Sequence, residues 1–104
     1  MRMMLRATFD TARANEAVRD GTLRNVLVAT REMLKPEAVF YLAENGERQM
    51  LMFFDMADTS QIPQIAEPLF QACHALVEFI PVMNADELQR GLEAWGKAAG
   101  SARS

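Results

Sequence analysis

Cys73-His74 is the one place in the chain where a thiol and an imidazole stand together, and it is the first candidate for a nucleophile with its base. Neighbouring residues point to opposite faces of a strand, or about 100° apart on a helix, so the two cannot serve each other as a dyad. Cys73 then reads as a buried cysteine at a helix end. His74 reads as a structural or interface histidine, with a general base as the functional alternative. Arg6 and Glu78 each fall in the middle of an alternating segment, on its mixed face. As a charged pair they could orient an anionic or carbonyl substrate, or bridge two strands or two subunits and fix their register. Tyr41 could bring a hydroxyl into the same space, or simply pack. Arg6, Tyr41, His74 and Glu78 are therefore the ligand-binding candidates, and no residue is assigned a catalytic role.

The remaining chemistry is thin. Met50, Met52 and Met56 look like a ladder of soft ligands, but thioethers alone on a hydrophobic strand read as core. Asp20 and Arg48 read as turn-stabilising residues. Phosphate-loop, dinucleotide, zinc-protease, hydrolase-elbow and dithiol signatures do not occur. One histidine and one cysteine make a protein-only soft-metal site improbable, so no metal and no cofactor is expected.

Net charge is −3 over 104 residues, which lacks the basic excess that phosphate neutralisation needs and argues against nucleic acid. Half of the residues are hydrophobic, enough for one core in one domain without disulfides. The start, Met1-Arg2-Met3-Met4-Leu5-Arg6, lacks the uninterrupted apolar stretch of a signal peptide. No apolar run nears the roughly 20 residues that span a bilayer. With a lone cysteine, a reducing, cytoplasmic setting is expected.

Several elements must position these residues. Met1–Asp10 alternates, with Met3, Leu5, Ala7 and Phe9 on one face, which predicts a strand. A helix capped by Asp10 or Thr11 should run to Leu34, with Asp20-Gly21-Thr22 able to divide it and Thr22 able to recap the second piece. Lys35-Pro36 ends it. Glu37–Glu44 and Arg48–Met56 read as strands of a hairpin around Asn45-Gly46, the favoured type I′ pair. Ile62, Ile65, Ala66, Leu69, Phe70 and Cys73 form one helical stripe after an Asp58-Thr59-Ser60 cap, with a kink or break expected at Pro68. His74–Val82 alternates again. Asn84 and Glu87 have capping-box spacing and open a last helix carrying Leu88, Leu92, Trp95 and Ala99. Its tail, Gly100–Ser104, is expected to fray.

The order β-α-β-β-α-β plus a terminal helix predicts an α+β, ferredoxin-like antiparallel sheet of order 4-1-3-2, with helices on one face. Residues 1–83 form that domain, and residues 84–99 form a helix packed on it or on a partner subunit. The segment Met50-Leu51-Met52-Phe53-Phe54 is apolar on both sides, and Met4, Leu76 and Ile80 add to the face opposite the helices. Something must cover that face. A second copy, sheet against sheet about a two-fold axis, is the simplest cover, so a homodimer is expected.

Six segments carry a resemblance over Met1 to about Met83: Ala17-Val18-Arg19-Asp20-Gly21-Thr22, Leu34-Lys35-Pro36-Glu37-Ala38, Glu44-Asn45-Gly46, Ser60-Gln61-Ile62-Pro63, Ile65-Ala66-Glu67-Pro68 and Val77-Glu78-Phe79-Ile80-Pro81-Val82-Met83. In them the chain resembles the dimeric α+β barrel superfamily, close to small uncharacterised bacterial proteins of that type. The resemblance implies a homodimeric barrel that binds a small organic molecule without a metal. Its alternatives are a cofactor-independent monooxygenase or isomerase, and a structural or interaction dimer without a ligand. Haem-binding relatives would make His74 an axial ligand, although no residue-by-residue match supports that. Superfamily pockets between sheet and helices would here be lined by Met3, Leu5, Phe9, Val77 and Phe79 near Pro68.

Overall fold

The computed structural model describes the backbone of residues 1–103 and the side chains of residues 1–100. Alternation over the first segment forms strand β1 (Arg2–Phe9), whose odd residues are buried and even ones partly exposed. Helices α1 (Thr11–Arg19) and α2 (Thr22–Leu34) follow, then strands β2 (Ala38–Glu44) and β3 (Glu47–Asp55), helix α3 (Gln61–Cys73), strand β4 (Ala75–Pro81) and helix α4 (Ala85–Arg103). The strands make one antiparallel sheet in the order β2-β3-β1-β4. This is the expected 4-1-3-2 order read from the other edge, and the additional C-terminal helix is present.

Local chemistry explains the boundaries. The Asp10 side chain accepts from the Arg13 N–H at 2.8 Å and caps α1. The expected division at Gly21 occurs, since that residue has φ +85°, a conformation open to glycine. Thr22 does not recap the second piece; instead the Asp20 carboxylate accepts from the Thr22 N–H at 2.9 Å. Asn45 and Gly46, at φ 54° and 74°, make the tight hairpin. Helix α3 continues through Pro68 as one 13-residue helix, so of the kink or break expected there the break does not occur. Helix α4 reaches Arg103 rather than ending near Ala99, while Ser104 of the expected frayed tail lies outside the described residues.

The core lies between the sheet and helices α1, α2 and α3. Met3, Leu5, Ala7 and Phe9 of β1 meet Met50, Met52 and Phe54 of β3, with Leu23, Ile65, Leu69 and Cys73 closing from the helices. That layer consumes one face of the sheet and leaves the other without helices.

One expectation is corrected here. The sheet is not closed into a barrel. Among the described residues β2 and β4 pair on one side only, and they stand at opposite edges of an open layer. Four strands are too few to bend round and bond the first to the last; small barrels close with about eight. The structure is that of one chain, so it does not show the homodimer either.

Candidate functional site

Strand register shows what the open face carries. In the row through the middle of the sheet, Phe40 of β2 lies beside Leu51 of β3, then Arg6 of β1, then Glu78 of β4. One row brings Ala38, Phe53, Met4 and Ile80 together, and the row on the other side brings Leu42, Gln49, Thr8 and Leu76. Eight of these twelve positions are apolar, as a half-buried sheet would have them, but no helix lies over them. Leu76 is 70% exposed and Phe40 58%.

Arg6 and Glu78, the central polar pair, meet through two parallel hydrogen bonds. Arg6 Nε donates to Glu78 Oε1 at 2.9 Å and Nη2 to Oε2 at 3.1 Å. The fork engages both carboxylate oxygens, so each of the two charges already has its partner. The Arg6 hydrogen bonds hold the Glu78 carboxyl below its ordinary range and strengthen the positive charge of Arg6.

The structure brings only these two of the four candidates together. Tyr41 pairs with Met50 and so points to the opposite side of the sheet. There it lines a groove of about 350 Å³ with Phe9, Leu23, Leu27 and Arg48. His74 is not part of a strand. It follows the last residue of α3 at φ 52°, and its N–H donates to the Leu69 carbonyl. Its surroundings are a cleft of about 200 Å³ shared with Thr8, Asp10, Arg13, Glu47 and Leu76. Cys73 beside it is buried, and burial raises its thiol pKa, the opposite of what a nucleophilic thiolate needs.

Sequence reasoning missed two features. Asp10, Arg13 and Glu47 gather around His74 because a helix start, a hairpin and a helix end converge, and no sequence spacing signals that. Arg48 does more than hold a turn: its Nη2 donates to Asn15 Oδ1 at 2.9 Å, while its buried Nη1 has no acceptor. No group of three or more His, Cys, Asp or Glu side chains is placed to hold a metal ion among the described residues. Nor is any helix among them long and apolar enough to cross a membrane.

At the margin of the open face, α4 begins. Asn84 Oδ1 accepts from the Glu87 N–H at 2.8 Å, and Glu87 Oε1 accepts from the Asn84 N–H at 2.9 Å, the reciprocal capping box. Arg2 of β1 bonds both Glu87 and Glu37, and the Val82 N–H donates to the Arg2 carbonyl. Beyond this anchorage the helix leaves the body. Every residue from 88 to 98 is exposed, including Leu88, Leu92 and Trp95.

Compared with known proteins, the chain matches no family model, no curated protein and no solved structure. The resemblance to the dimeric α+β barrel superfamily is thus not upheld, and the open sheet contradicts its defining closure. The functions that depended on it are corrected with it: a homodimeric barrel holding a small organic molecule, and cofactor-free oxygenation or isomerisation inside one, have no barrel interior to occupy.

Proposed function

We propose that this chain is a protein-association domain, and that its working surface is the open face of the sheet. One observation carries this: an apolar field from Phe40 to Leu76, interrupted centrally by the Arg6–Glu78 pair, is left uncovered by the chain itself. Soluble monomers rarely leave such a field in water. The chain as a whole exposes 7,011 Å², roughly 1,100 Å² more than a compact monomer of its mass, and the open face and the protruding α4 share that excess. It is comparable to one partner's share of an ordinary protein interface, about 800 Å² or somewhat more. The partner we propose is a second copy of the chain, which covers this open face. Arg6 and Glu78 lie within that contact; Tyr41 lies outside it, and His74 borders it through the cleft it shares with Thr8 and Leu76. A reducing, cytoplasmic setting goes with this reading, supported by the single buried cysteine.

Light scattering coupled to gel filtration over a micromolar concentration series tests it. A concentration-dependent pair is expected. Covering the exposed part of Leu76 contributes about 1–2 kcal/mol, and a two-fold contact contains it twice. Leu76→Ser should therefore weaken the pair between about thirtyfold and a thousandfold, with little effect on the fold of each chain. A monomer throughout the series would refute the proposal.

A further inference from the structure

Resting on that reading, we infer that α4 is an exchanged arm, whose Leu88–Leu92–Trp95 stripe packs on the open sheet face of the second copy. Its three large apolar residues stand at i, i+4 and i+7 and so share one side of the helix. All three are exposed, Trp95 at 69%. The helix cannot turn this side onto its own sheet, because the capping box and Arg2 fix its first turn while its length carries it outward. The molecule is accordingly 64 Å long but only 29 by 20 Å across. Its radius of gyration is 17.7 Å, against about 13 Å for a compact domain of this length. One chain thus holds two apolar surfaces that cannot meet in cis, and two copies allow them to meet in trans.

The helix itself supplies an independent reason. Gly91, Gly96 and Gly100 lie within its 19 residues, and each costs about 1 kcal/mol relative to alanine in a helix interior. A bare helix with that burden does not persist in water by propensity alone; packing has to hold it. A Cβ at Gly91 or Gly96 would meet no atom of the chain. At about 100° per residue Gly91 and Gly96 flank the apolar stripe on its two sides, where a missing side chain lets another backbone approach.

Trp95 is the only tryptophan, so its emission reports on α4 alone. On dilution, emission should move to longer wavelength and helical circular dichroism should fall, both with the midpoint that light scattering gives for dissociation. Leu92→Ser should weaken the pair about thirtyfold. Its effect should be non-additive with that of Phe40→Ser, because the two side chains lie in one contact. A pair that forms with Trp95 emission unchanged on dilution would overturn the arm and leave the association reading standing. Additive effects of Leu92→Ser and Phe40→Ser would overturn the seat on the sheet face. Absence of any pair would overturn the association reading itself.

Discussion

Replacing His74 with glycine should stabilise the protein. His74 ends α3 in the left-handed region, at φ 52° and ψ 43°, with its N–H bonded to the Leu69 carbonyl and its side chain exposed. This is the position after a helix that glycine usually takes. A side chain there costs about 1–2 kcal/mol through the clash of Cβ with the following carbonyl. Glycine removes that cost but frees the unfolded chain, which returns about 0.5–1 kcal/mol. The balance favours His74→Gly by roughly 0.5–1 kcal/mol, a rise in Tm of roughly 2–8 °C for a domain of this size. Urea and thermal unfolding measure it, at matched protein concentration because association would itself add stability. Two other positions calibrate the result. Lys35 closes α2 at φ 47°, so Lys35→Gly should act in the same direction. Gly21 has φ +85° with open space around it, so Gly21→Ala should destabilise through backbone strain alone. If His74→Gly lowers stability while Lys35→Gly raises it, the imidazole makes a contact worth more than the strain, and the argument from backbone geometry fails at that site.

Acid should weaken the fold through the paired carboxylates. Glu78 is held below its ordinary range by Arg6, and Glu87 by the Asn84 N–H and then Arg2. Each binds fewer protons folded than unfolded, so its stabilisation is complete above the unfolded value near 4.3 and is lost as pH falls through the folded one. Glu78→Gln should make unfolding less steeply dependent on pH below about 4.3; an unchanged dependence would show that the pair contributes nothing to linkage. Cys73 should resist an aromatic disulfide reagent at neutral pH until the protein unfolds, since it is buried and its thiol pKa is raised. Stoichiometric labelling of the native protein would contradict its placement in the core.

How much of this was legible depends on how local the physics is. Asn45-Gly46 announced its hairpin because a two-residue turn demands positive φ at both positions, and few residue pairs supply it. Arg6 opposite Glu78 followed from strand order, which crossover handedness restricts to few choices. The cleft around His74 was not legible, because it joins ends of elements distant in sequence. Nor was the barrel excluded: alternation tells which face of a strand is apolar, and says nothing about whether the edge strands find each other. For α4, the stripe of Leu88, Leu92 and Trp95 was visible, but periodicity cannot say whether its own domain lies beneath it.

An open sheet can recruit a partner along an edge or across a face, and the distribution of residues decides between them. Edge addition would satisfy backbone groups of β2 or β4 while leaving Phe40, Leu51, Phe53 and Ile80 as wet as before, since these side chains stand perpendicular to the sheet. The exposed apolar side chains therefore favour the face. Arg6 and Glu78 then acquire a meaning beyond strand register. In water, a half-exposed pair adds little to stability. Covered by another surface, its two charges stay paired because both bonds are already internal, while a misaligned partner carrying a charge of its own would leave that charge unpaired. A closed ion pair in the centre of an apolar face is thus compatible with burial by a surface that brings no unpaired charge. The Leu88–Leu92–Trp95 stripe of a second copy is such a surface.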